Sequence, residues 1–446
     1  MTTAQRHDRW RPNILARPAV RPTVIGQDQS QEQASPLAFG LIMAFTFILL
    51  LAPQAHFPAL APLRPAFWVA NASLLVYLLD RFINRKPITI MSREISLVAA
   101  LLGWAVLTIP MSLWPGGSVG ELEDKYLKSL IIFWLLSNVV NSVSRCRQVF
   151  WALSLMSIPL SVVGVKNYLT GVFVQYGREI PLDRIRGYDA PLTSNPNDLA
   201  LMLNLILPLS AALLFMEARP FRRLILLAAM ALNVVAVVTT FSRAGAVTLG
   251  SIGLIYVWKL RNRPERRWVY AALVLALLCM PLLPGGYLER ITTMTDISSD
   301  STHSSEARWR DLGAATRFAL KHPIIGAGLG SDQLALNSER GGLWSSVHNV
   351  YLQYAVDLGI PGVTLFLLIL IGCLRRLAAL RRRYAPTQGR PHLVYLADGL
   401  YVSLCVFAVA AFFYPVAYHF YFYYIAGLAV ALTARHGTVA ARKATN

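Results

Sequence analysis

Read as a pattern of apolar and polar positions, the chain is a series of long apolar runs separated by short polar connections. Twelve runs stand out, at about 37–53, 59–79, 95–114, 126–143, 148–169, 197–216, 223–241, 244–258, 268–285, 355–374, 393–414 and 416–433. Their lengths suit helices that cross a bilayer in roughly 17–25 residues. The pattern predicts an all-α polytopic membrane protein of about twelve spans. Two connections break the rhythm. One lies at roughly 170–196, and the other, 286–354, is by far the longest. Long loops on a rigid scaffold are usually functional or disordered. This one carries the signs of order. EARWRDLGAATRFALKH sets Trp309, Leu312, Ala315, Ala319 and Leu320 at helical spacing, and Pro323 ends the run. With Arg308, Arg310 and Arg317 it reads as an amphipathic helix suited to a membrane surface. A further helix is expected to begin near His348, run through VYLQYAVDLG and break at Gly359, Pro361 and Gly362 before the tenth span.

Composition sharpens this picture. Only 15% of the 446 residues are charged and 55% are hydrophobic, with a mean hydropathy of +0.48. Soluble domains carry roughly 25% charged residues. A soluble enzyme, a disordered tail protein and a secreted disulfide scaffold are excluded. Cys146, Cys279, Cys373 and Cys405 lie in or beside apolar runs without CxxC spacing, so they read as inert packing residues.

The net charge of +19 first suggests nucleic acid, but its placement says otherwise. With the N-terminus in the cytoplasm, the cytoplasmic side carries 28 Lys and Arg against 8 Asp and Glu, and the other side 14 against 15. Clusters at Arg81, Arg85, Lys86 and Arg93, at 259–267 and at 375–383 dominate the excess. This is a positive-inside bias. It reflects topology and attraction to anionic membrane lipids, not a nucleic-acid partner. The chain divides into a basic cytoplasmic tail (1–36), nine spans (37–285), an outer loop with the candidate chemistry (286–354), three spans (355–433) and a cytoplasmic tail (434–446). No small-residue cleavage site follows the first apolar run, which reads as an uncleaved span and not a signal peptide.

The chemistry-bearing residues collect on the outer side. Arg243 in FSRAG sits between two apolar runs with no room for a loop, and an arginine facing lipid costs several kcal/mol. Arg184 and Arg186 precede TSNPND, which has the form of a helix N-cap. Arg308 lies on the amphipathic helix. Each alone is also explained by snorkelling, loop solvation or a solvated helix face. Together, several guanidinium groups on one face suit a pyrophosphate, which arginine binds in bidentate fashion. Among the outer histidines (His56, His303, His322, His348 and His419), His348 is best placed. It follows a Gly-Gly turn and Ser345–Ser346 and opens a helix, and a near-neutral imidazole can accept a proton from a sugar hydroxyl. HExxH, GxSxG, P-loop and GxGxxG motifs are absent, and no acidic cluster points to a divalent cation. Metal-independent chemistry with no cofactor is expected.

These motifs resemble those of one family. RGYDAPLTSNPNDLALMLNLILPL resembles its arginine–glycine–NPN entry, and FSRAGAVTLG its S-R-A/G-G segment. EARWRDLGAATRFALKHPIIGAGLG is similar to its R-x-W…HP-xx-G-x-G stretch, and VHNVYLQYAVDLGIPG to its H-N-x-Y-L…GxxG segment. Their order is that of the bacterial O-antigen ligase and O-antigen polymerase family of polytopic membrane glycosyltransferases, over about 185–365. The resemblance implies a GT-C-like fold in the bacterial inner membrane. It implies a donor glycan on undecaprenyl diphosphate and transfer on the periplasmic face to a lipid A-core or glycan acceptor, inverting and metal-independent. It assigns His348 as general base, Arg243 and Arg308 as diphosphate binders, and Arg186 as a further contact. Ligase, polymerase and protein O-glycosylating ligase share the pattern. A twelve-span transporter or flippase is the rival from another class, but such proteins usually carry charge near the midplane and often two similar halves. Here Lys166, Asp357 and Asp398 are the only candidates for such charges.

Overall fold

A computed structural model describes residues 35–173, 184–292, 304–337, 340, 344–384 and 391–444. The N-terminal tail expected at 1–36 lies almost wholly outside them. The described residues are helical, with one isolated antiparallel bridge between Phe173 and Ile185. The principal helices are α1 (Pro36–Leu51), α2 (Pro65–Ile83), α3 (Arg93–Thr108), α4 (115–139), α5 (Val143–Leu169), α6 (Pro196–Met216) and α7 (Pro220–Thr239). They continue with α8 (Arg243–Leu260), α9 (Arg266–Leu278), α10 (Ser304–Lys321), α11 (Val350–Tyr384), α12 (Pro391–Ala410) and α13 (Phe420–Ala444). A helix coincides with each of the twelve apolar runs. Among the described residues seven helices are long and apolar enough to cross a membrane, and α1 and Phe420–Ala434 are shorter apolar helices.

Three boundaries differ from the sequence reading. Helix α4 begins eleven residues before the predicted run and contains a π-turn at Leu122–Tyr126. The expected loop at 375–392 is helical as far as Tyr384, because the Arg, Leu and Ala residues there are strong helix formers. The expected tail at 434–446 continues α13 to Ala444. Arg376 and Arg381 are thereby held on a helix, 2.9 Å from Glu94 and 3.5 Å from Asp398.

Helix α6 is the axis of the bundle, with four-fifths of its apolar window buried, and its widest contact is with α12. Close approach depends on small side chains: a Cβ at Gly399 would lie 2.8 Å from Ala212 Cβ. In a bilayer, apolar contact between helices gains little over contact with lipid, so packing and interhelical hydrogen bonds matter more. Ser154 and Ser210 are 2.8 Å apart, Ser161 donates to Asn233 at 2.7 Å, and Asn233 donates to Ser157 at 3.0 Å. This polar seam joins α5, α6 and α7. Asp398 is ringed by Lys259 and Arg263, both at 3.0 Å, and by Arg381.

Helix α11 breaks at Gly359, whose φ of 66° and ψ of −169° are not helical. The break falls where the Gly359–Pro361–Gly362 pattern predicted it. A Cβ at Gly359 would stand 2.2 Å from the Ile324 carbonyl oxygen, so only glycine fits. The turn after α10 is sewn to the broken segment: Ala327 N–H donates to Val356 O at 2.7 Å, Gly328 N–H to Asp357 O at 2.9 Å, and Ile360 N–H to Pro323 O at 2.7 Å. Asp357 is fully buried there and accepts from Gly330 N–H at 3.1 Å and Tyr418 at 2.9 Å.

Candidate active site

The NPN element builds one wall. Asn195 caps α6, accepting from Asn197 N–H at 2.8 Å, and Pro196 occupies the first helical position, where no donor is needed. Asn197 Oδ1 then joins two segments that are distant in sequence. It accepts from Arg184 Nη2 at 2.6 Å and from Ser242 Oγ at 2.8 Å.

Each letter of FSRAG has a physical task. Phe241 has φ 50°, a strained conformation for a bulky residue, and its ring lies between Tyr168 and Tyr287, with centroids 6.1 and 5.7 Å away. Ser242 caps α8 by accepting from Gly245 N–H at 3.1 Å. Arg243 is the first residue of α8 and is buried, at the end of the helix where the backbone dipole is positive. At Gly245 a Cβ would meet Ala200 Cβ at 2.8 Å, so glycine lets α8 lie against α6.

Helix α10 and the segment before α11 form the opposite wall. The buried face of α10 is Asp311, Ala314, Ala315, Phe318 and Ala319. This corrects the predicted stripe at two positions: Trp309 and Leu320 are 64% and 72% exposed. Alanines permit a closer approach to α11 than the larger side chains would. Arg308 projects from the first turns of α10. Tyr414 faces Ser242 and lies within electrostatic range of Asp198, Arg184 and Arg308, which links the two walls.

His348 is fixed by its neighbours rather than by its own ring. Val347 N–H donates to Asp332 Oδ2 at 2.8 Å, Gln333 Nε2 donates to Ser346 Oγ at 2.7 Å, and Val350 N–H donates to Ala411 O at 2.7 Å. Nδ1 of His348 is buried with no hydrogen-bond partner of normal geometry among the described residues. Burial, then Arg308, then Arg340 push the imidazole down to about 4, with the Ser346 backbone opposing the shift. The ring is therefore neutral at physiological pH and able to take a proton. His348 is singled out by its place within electrostatic range of Arg308.

The remaining candidates are placed differently. Arg186 lies 3.4 Å from Asp189, both side chains more than half exposed, while Arg184 enters the Asn197 network. His56 Nε2 lies 2.8 Å from the Tyr188 hydroxyl, which donates to Leu51 O at 2.9 Å; His56 is thus the donor of its pair. His322 stacks on Phe318. His303 lies outside the described residues. Asn197, Tyr414 and Arg340 were not found from the sequence. The NPND motif marked Asn197 only as part of a cap, and nothing local marks the other two.

The long apolar helices and a polar, arginine-rich site at one end of the bundle define a multi-helix membrane protein. Residues 228–367 match the family model described as O-antigen ligase, a segment holding Arg243, Arg308 and His348. Over this segment the chain is similar to the O-antigen ligase family, the family its motifs resemble. Among curated proteins no match to the chain is found.

Proposed function

We propose that the protein is a membrane glycosyltransferase of the bacterial inner membrane. It moves a glycan from undecaprenyl diphosphate to an acceptor hydroxyl on the periplasmic face, in the ligase mode that attaches O-antigen to lipid A-core. The observation that carries this reading is a buried imidazole within electrostatic range of Arg308, with Arg308 also in range of Tyr414, which faces Ser242. His348 takes the proton of the acceptor hydroxyl as its oxygen attacks the anomeric carbon. The bond from that carbon to the diphosphate oxygen breaks, and its electron pair leaves with the diphosphate. A single in-line displacement inverts the anomeric centre. Arg243 and Arg308 hold the growing negative charge, which serves in place of a general acid because the leaving group is weakly basic. Arg184 is a third contact of the same kind, its fork oriented by Asn197.

Arg243→Ala is expected to lose about 10²–10³-fold in transfer, as for removal of one preorganised donor. Arg243→Lys recovers little of it, because a point charge does not replace a fork. Deleting the gene should leave glycan that is made but unattached on a gel of surface material. Complete absence of glycan would point to transport, and single repeats to polymerisation; either overturns the ligase reading.

A further inference from the structure

The approach to His348 is held by a group that donor binding and proton transfer leave unused. The Arg340 side chain is only 2% exposed, and its Nε lies 2.9 Å from Asp311 Oδ1. Its Nη1 donates to the Ser345 carbonyl and, at 3.1 Å, to Ser345 Oγ. Asp311 stands one helical turn after Arg308 on α10, and Ser345 stands three residues before His348. A single buried ion pair thus ties the helix that bears Arg308 to the strand-like segment that bears the imidazole. We propose that Arg340 is a positioning residue, which fixes His348 opposite Arg308 through Asp311 and Ser345 and keeps a positive charge beside the imidazole. The inference rests on the reading of His348 as the base.

Two properties of the side chain are used at once. Its planar fork reaches a carboxylate and a backbone carbonyl together, which the single point of an ammonium does not reproduce. Its charge disfavours the imidazolium form. The other charged groups within electrostatic range of this cluster are Arg308, which acts on His348 and Asp311, Arg310, which acts on Asp311, and Asp332, which in turn feels Arg340 and Glu121. Asp311 balances Arg340 without cancelling its effect on His348, since both Arg340 and Arg308 act to lower that group.

The test uses the full-length protein in lipid nanodiscs. Carbethoxylation of His348 by diethyl pyrocarbonate is followed against pH by peptide mass spectrometry, beside the rate of glycan transfer. Arg340→Ala should raise the midpoint of His348 reactivity above about 4, with burial and Arg308 still holding it below the ordinary value, and should slow transfer. Arg340→Lys should hold the midpoint while losing transfer by on the order of 10²-fold, the cost of an ångström-scale misplacement. Asp311→Asn should slow transfer without raising the midpoint. A midpoint unchanged in Arg340→Ala, or parental transfer by Arg340→Lys, overturns the proposal. Should the alanine variant not accumulate in the membrane, the lysine and asparagine variants decide. If His348→Gln transfers glycan normally, the base reading fails on its own, and the shift of the His348 midpoint still decides whether Arg340 sets its charge.

Discussion

Arg243 and Lys259 are both buried and stand near opposite ends of α8, about 24 Å apart along its axis, yet their surroundings are organised differently. At the Lys259 end three cations, Lys259, Arg263 and Arg381, converge on one carboxylate, Asp398. The result is a closed ionic knot that ties α8, α11 and α12. At the Arg243 end the arginines are steered in part by neutral groups. Asn197 holds Arg184, and the His348 imidazole lies within electrostatic range of Arg308. Buried charge that ends on its counter-charge fastens helices. On the proposed function, the partly buried charge gathered near the imidazole suits an incoming anion and a nucleophile.

The sharpest way to break this contrast is at His348. His348→Ala should lose about 10²–10⁴-fold in transfer rate, the usual worth of a positioned base, while thermal unfolding in detergent stays at the parental temperature. The parental rate should stay level from neutral pH downward and fall only as pH drops through about 4, because an imidazolium cannot accept the acceptor's proton. Stability follows the same group. The unfolded chain takes up its proton near 6.5 and the folded chain near 4, so stability present above 6.5 is lost as pH falls between the two. An acid limb at 6.5 in the rate profile would place the base elsewhere.

Asp398→Asn should do the reverse. It strands three cations, at a cost of up to roughly 3–5 kcal/mol for a fully buried pair and less where the arginines are partly exposed. Unfolding should come at a lower temperature, with the rate per folded molecule retained. Loss of transfer at unchanged stability would make the knot part of the chemistry. The smallest effect is expected at Arg186, whose exposed pair with Asp189 contributes about 0–1 kcal/mol. Arg186→Ala should transfer nearly as the parent, and Arg184→Ala should not; a reversed order in side-by-side assays would restore Arg186 to the site.

Much of this molecule was legible before any coordinates, for a physical reason. Membrane helices must satisfy their own backbone, so an apolar run of span length fixes a helix almost alone. Gly359 and the TSNPND cap were readable because a left-handed glycine and an N-cap act within a few residues of themselves. The pairing of Arg340 with Asp311 was not, since it depends on how two parts of one loop fold back together. The different settings of Arg184 and Arg186 were hidden for the same reason. Two residues apart, they differ only in what α6 and α8 bring to them. The face of α10 was misjudged where size mattered: hydrophobicity ranks Trp309 and Leu320 as core, but close packing on α11 selects alanine.

The break at Gly359 has a consequence for how the molecule opens. The residues before it, Val350–Leu358, give their free carbonyls at 356 and 357 to the 327–328 turn, and Leu358 O accepts from Trp104 Nε1 at 2.9 Å. Their hydrogen-bonding fortunes are therefore shared with the 323–330 turn more than with the helix that follows. Thermal opening should release both pieces as one cooperative unit, so the amides of Ala327, Gly328 and Ile360 should exchange with deuterium together and at one rate. His348 stands two residues before one piece of that unit, and the helix that bears Arg308 ends two residues before the other.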